Sequence, residues 1–70
     1  MTLVCIEMGW MLCDAHKLHD VKRGDFKVRG YTSNCCFGIM LDDRDHDFKR
    51  VMYDGVSYWV YKRAIKERYT

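Results

Sequence analysis

The side chains best able to do chemistry lie in Cys13-Asp14-Ala15-His16-Lys17-Leu18-His19. On a helix, three-residue spacing puts Cys13 and His16 on one face, and His16 and His19 likewise. Cys5 would then complete a tetrahedral zinc site. Zinc frameworks show Cys-x2-Cys pairs or spaced His pairs, and neither occurs here. The reading preferred is solvated histidines, a packed Cys13 and a chain without metal or cofactor. Asp43, Asp45 and Asp47 alternate like the first ligands of a calcium-binding EF-hand loop, and Asp54 falls at the closing position. Phe48, however, stands where that loop needs glycine for its sharp turn. A solvated acidic loop is the simpler account.

An enzyme needs a nucleophile, a base and a group that orients the base. Nothing in the sequence pairs a cysteine with a histidine in that way. There is no G-x-S-x-G, no P-loop and no dinucleotide-binding fingerprint. In a chain this small, a substrate cleft would compete with the core for material. The expectation is a non-enzymatic binding module.

Charge narrows the partner. The net charge of +2 is only mildly basic, and the pI of about 8.4 falls short of the value near 9 common in nucleic-acid-binding domains. Its distribution is uneven. Asp42, Asp43, Asp45 and Asp47 form an acidic stretch. Lys22, Arg23, Lys27 and Arg29 form one basic group, and Lys62, Arg63, Lys66 and Arg68 form another.

Two functional readings follow. In the first, the chain is a protein-interaction module, an inhibitor or modulator of a larger machine. Its tools are the acidic, DNA-mimicking stretch Asp42, Asp43, Asp45 and Asp47 together with exposed Trp59 and Tyr61, since aromatic residues are enriched at binding hot spots. In the second, it binds RNA or DNA. Lys22, Arg23, Lys27, Arg29, Lys62 and Arg63 would contact phosphates, and Tyr31 would offer a stacking surface. The acidic stretch and modest charge favour the protein partner.

These residues need elements to position them. Seventy residues make one domain, 1–70, and the 49% hydrophobic content supplies core material. No run approaches the length of a membrane-spanning helix, and the N-terminal residues lack the basic start of a signal peptide. A cytoplasmic setting with reduced cysteines, and no membrane partner, is expected. Leu3 to Glu7 reads as a strand, and Trp10 to Leu18 as a short helix or an irregular loop. Val21 to Asp25 reads as a turn. Phe26-Lys27-Val28-Arg29 alternates apolar and basic residues, as a half-buried strand does, and Gly30 with Thr32-Ser33-Asn34 ends it. The apolar run Cys35 to Leu41 suits a strand in which Gly38 marks a bulge or a close backbone approach. Phe48 to Tyr53 resumes strand character.

Asp54-Gly55 is a type I′ hairpin signal, because both central residues of that turn need positive φ. After it, Val56, Tyr58 and Val60 share one face, and Ser57, Trp59 and Tyr61 the other. One face lies inside and the N-terminal segment covers the other. Lys62 to Arg68 reads as a helical turn or a final strand, with Ala64 and Ile65 inward.

Four strands in series with short loops give a mainly β chain, a small antiparallel barrel or curled sheet. The stretch Val21-Lys22-Arg23-Gly24-Asp25-Phe26-Lys27-Val28 resembles the opening strand of SH3-like small barrels, including KOW and Tudor-type modules. Phe37-Gly38-Ile39-Met40-Leu41 resembles their second strand. Asp54-Gly55 with Tyr58-Trp59-Val60 and Ile65 resembles their last hairpin and closing turn. The resemblance covers residues 21–66 and implies a barrel-like core there, with 1–20 as an added strand and covering segment. Such barrels serve protein and nucleic-acid binding alike. The size and the density of cysteine and methionine also resemble a phage-encoded protein, which would work in a host cytoplasm.

Overall fold

The computed structural model describes residues 2–33 and 36–69. Among them, seven strands form one antiparallel sheet: β1 (Thr2–Ile6), β2 (Met11–Asp14), β3 (Lys27–Tyr31), β4 (Cys36–Asp42), β5 (Phe48–Tyr53), β6 (Val56–Tyr61) and β7 (Ile65–Tyr69). A short helix, α1 (Leu18–Lys22), lies between β2 and β3, and a 3-10 turn, Lys62–Ala64, joins β6 to β7. The order across the sheet is β3-β2-β6-β5-β4-β1-β7. The chain is therefore mainly β, and β2 is the strand added to those read from the sequence.

Local chemistry sets the centre of the sheet. At the β5–β6 turn, Asp54 has φ 53° and Gly55 φ 79°, the backbone that a type I′ turn requires. The hairpin then pairs without slippage from Tyr53↔Val56 to Phe48↔Tyr61. Gly38 is a close approach, as its place in an apolar run suggested. A Cβ there would lie 2.8 Å from the Met52 carbonyl oxygen and 2.9 Å from Ile6 Cδ1. The bulge lies further along β4, between Met40 and Asp42.

The two faces of the sheet carry separate cores. Val4, Ile6, Leu12, Met40, Val51, Val60 and Ala64 form the inner one. Its members run from β2 to β1, near opposite ends of the strand order, so the sheet curls around them. Cys13, Val21 and Trp59 form the outer one, with Ala15, Leu18, Phe26 and Phe48 packed against it. Here the 15–26 connection, α1 included, covers β2, β6 and part of β5. Because strand side chains alternate, neighbours Trp59 and Val60 serve different cores.

Several expectations change. Residues 11–14 are a strand, neither helix nor irregular loop, and helix begins only at Leu18. Adjacent Leu12 and Cys13 are both buried, one in each core, which hides the period-two signal in so short a strand. Val21 and Lys22 complete α1, and the turn is confined to Arg23 and Gly24. Of Phe26-Lys27-Val28-Arg29, Phe26 packs on the outer core just before β3, but β3 itself is not half-buried: Val28 is 45% exposed, and Lys27, Arg29 and Tyr31 are exposed too. As an edge strand paired only with β2, it lies outside both cores. β1 is hydrogen-bonded on both sides, to β4 and β7. The closing segment is both a turn and a strand, with Ala64 buried and Ile65 packed on the inner core. The expectations for Asn34 and Cys35, and for the Cys36 side chain, fall outside the described residues.

Candidate functional site

The acidic stretch is a built loop. β4 ends at its bulge and the chain turns through 43–47 before β5. The Asp45 carboxylate accepts the backbone N–H groups of Asp47 (3.0 Å) and Phe48 (2.9 Å), and pairs with Lys22 at 2.7 Å. The Lys22 ammonium, then the Phe48 N–H, hold its carboxyl down to about 2. Lys49 is buried on the inner face opposite Val60. Its ammonium donates to the Asp43 carbonyl at 3.0 Å and to the Asp45 carbonyl. The loop is thus wrapped around a lysine in the manner of an ion-binding loop.

The other carboxylates are also matched. Asp42 takes two hydrogen bonds from the Arg44 guanidinium, 3.2 and 2.9 Å, and its carboxyl is held below the usual range by that contact. Asp43 pairs with Arg68 at 2.9 Å and Asp47 with Lys62 at 3.8 Å. Lys62 also lies 2.9 Å from His46 Nε2. Asp42, Asp43, Asp45 and Asp47 therefore each have a cation beside them.

The basic groups are dispersed. Lys22 serves Asp45, Arg23 serves Asp25 (3.1 Å) and Asp20 (3.6 Å), and Arg29 serves Asp14 (2.6 Å). Lys27 and Arg63 are exposed. Lys27 pairs with Asp14, and Tyr31 with Met11, at opposite ends of β2. Since Cys13 faces Trp59, Lys62 and Arg63 leave the sheet at the Met11 end. The structure does not bring Lys27 together with Lys62 and Arg63.

The aromatic candidates are not displayed as expected. Trp59 is 4% exposed, because the outer face of β6 lies beneath the 15–26 connection. Its indole Nε1 is buried without a hydrogen-bond acceptor among the described residues, and the Arg50 guanidinium stands 5.6 Å over its ring. Tyr61 is half-buried, stacked on Trp10 at 6.0 Å and edge-on to Phe48 at 5.8 Å. With Met11, Cys13 and Phe26 these rings line an apolar groove of about 270 Å³. The Cys13 thiol is pushed up by burial, which makes it a poor nucleophile. His16 and His19 are exposed. Among the described residues no three His, Cys, Asp or Glu side chains gather to hold a metal, and no helix is long and apolar enough to cross a membrane.

The largest feature was missed in the sequence. Tyr69, Leu3, Ile39 and Met52 lie abreast across β7, β1, β4 and β5. Phe37 shares their face opposite Cys5, and its ring lies 6.0 Å from that of Tyr69. These five side chains are between 38% and 60% exposed, with exposed Leu41 beside them at the bulge. This is the outer face of the sheet beyond the reach of the 15–26 connection. The available signal was a shortage: one connection is long enough to cover a sheet face, and two halves need cover.

No protein-family model, curated protein or solved structure matches the chain.

Proposed function

We propose that this chain is a non-enzymatic protein-interaction module that docks a protein on the uncovered face of β7, β1, β4 and β5. The observation that carries the reading is the contiguous set Leu3, Phe37, Ile39, Met52 and Tyr69, exposed on one sheet face. Contiguous apolar patches of this kind mark interaction sites in soluble domains. The neutralised acidic loop stands at the rim, where Leu41 runs into Asp42. This moves the proposed site away from Trp59. Modulation of a larger assembly remains the proposed role, in a cytoplasmic setting. The curled antiparallel sheet and the Asp54-Gly55 hairpin support the SH3-like resemblance as part of the proposal.

Nucleic-acid binding draws less support. Lys22, Arg23, Arg29 and Lys62 are committed to carboxylates, and Lys27 stands apart from Lys62 and Arg63. Capture of proteins from lysate by the tagged chain, with and without nuclease, tests the choice. The expected outcome is nuclease-resistant capture that Phe37→Glu abolishes and Lys27→Ala with Arg29→Ala leaves intact. Nuclease-sensitive capture, lost with the Lys27/Arg29 double change and weakened steeply by salt, would reverse it.

A further inference from the structure

We infer that the partner seated on this face is a second copy of the chain, with the outer faces of β7, β1, β4 and β5 packed against each other across a two-fold axis. The inference rests on the reading of that face as a protein-docking surface, and it names the occupant.

Area is the first argument. At their exposed fractions, Leu3, Phe37, Ile39, Met52 and Tyr69 offer roughly 350–550 Å² of surface, taking roughly 150–250 Å² for each whole residue. A standard interface removes about 800 Å² from each partner, and about 65% of a homodimer interface is apolar. A dimer of ordinary size therefore asks for about as much apolar surface as this face holds.

Shape is the second. The five side chains stand on neighbouring, register-matched strands. Two such faces can interdigitate as the layers of a β-sandwich do.

Charge is the third, and it separates a second copy from a charged partner. The loop aspartates are already matched with cations, so the rim shows no single-sign field to select a basic or an acidic protein. On the face itself, Glu67 stands opposite Cys5 on β7 and Arg50 opposite Trp59 on β5. Glu67 accepts from the Tyr69 hydroxyl at 2.6 Å and Arg50 donates to the Ser57 hydroxyl at 3.0 Å, so each keeps a neutral partner within the chain. They flank the Tyr69–Met52 row at diagonal corners. A two-fold axis that brings Glu67 to Arg50 of the second copy makes the same contact twice. The face is complementary in charge to itself.

Sedimentation velocity from about 1 μM to about 1 mM tests this, a span that brackets a weak to moderate homodimer. The expected result is a shift from monomer to dimer as concentration rises. Phe37→Glu and Met52→Glu, made separately, should each raise the dissociation constant by roughly 100-fold, as burying an unpaired carboxylate at the centre of an interface does. Unchanged thermal transitions at low concentration will show that both variants are folded. Amide shifts that move on dilution should map to β1, β4, β5 and β7 and spare α1. A wild-type chain that stays monomeric at the highest concentration overturns the inference. So does a dimer indifferent to both substitutions. Failure of the docking reading looks different: there Phe37→Glu changes neither self-association nor capture of other proteins. A monomer whose capture of another protein is lost with Phe37→Glu would refute the second copy and leave the docking face standing.

Discussion

The outer face of the sheet has two halves made of the same kinds of strand, and they end differently. Over β2, β6 and part of β5, Trp59 and Cys13 lie beneath Val21, Leu18 and Phe26 and are almost inaccessible. Over β4, β1 and β7, Leu3, Phe37 and Ile39 remain open. Strand composition does not separate the halves; the connections do. Between β2 and β3 the chain spends residues 15–26 and folds a helix back over the sheet. Elsewhere the described connections are tight: a two-residue turn at Asp54-Gly55, a 3-10 turn at Lys62–Ala64, and a loop wrapped around Lys49. None of these can reach across a sheet face. Burial of an apolar strand face is thus decided by a distant segment, and a face that no segment reaches is left for a partner.

The sharpest way to break the comparison is to truncate one large ring on each side. Trp59→Ala should cost about 3–5 kcal/mol in urea unfolding, as loss of a buried aromatic does. Phe37→Ala, measured in the dilute monomer, should stay within about 1 kcal/mol. Equal losses would mean that the two halves are not differently covered. Trp59→Phe should cost far less than Trp59→Ala, because it removes the indole N–H that has no acceptor among the described residues.

An uncovered face need not be a loose one, and Gly38 lets that be measured. It lies on the inner side of β4 between Phe37 and Ile39, where a Cβ would press on the Met52 carbonyl. Gly38→Ala should destabilise by roughly 1–3 kcal/mol through overpacking. A neutral result would show that β4 and β5 separate easily.

The smallest expected effect concerns the ion pair between the covering connection and the acidic loop, Lys22–Asp45. The Asp45 carboxyl titrates near 2 in the folded chain, below the ordinary value of about 4. Its contribution is therefore complete above about pH 4 and is lost as pH falls towards 2. Stability measured against pH should show wild type and Asp45→Asn converging in that window. Curves that stay parallel through it would mean that Asp45 does not tie the cover to the loop.

What could be read in the sequence was local. The Asp54-Gly55 turn, the strands on either side of it, the constraint at Gly38 and the break at 43–47 each follow from a few consecutive residues. β2 could not be read, because Leu12 and Cys13 are buried on opposite faces and leave no alternation. Trp59 was misplaced for a related reason. Alternation gives two faces to a strand without saying which distant segment lies over either. The carboxylates and the cations were visible as clusters, whereas their pairing, such as Arg68 with Asp43, depends on β7 returning beside β1. The open face combines both difficulties, since it is defined by cover that is missing.

The place of β1 between β4 and β7 bears on how quickly the chain reaches this state. The β5–β6 hairpin joins neighbours through a two-residue turn, and such hairpins close in roughly 1–10 μs. Leu3, by contrast, must find Ile39 on one side and Tyr69 on the other, which closes two long loops before their contacts are gained. Pairing at such separation slows folding. The hairpin and β4 can assemble first, with the β4 edge exposed until β1 arrives. The step that completes the docking face is then also the one that covers the apolar β4 edge and leaves β7, with Lys66, Glu67 and Arg68, as the edge of the sheet on that side, and charged edges of that kind resist edge-to-edge pairing.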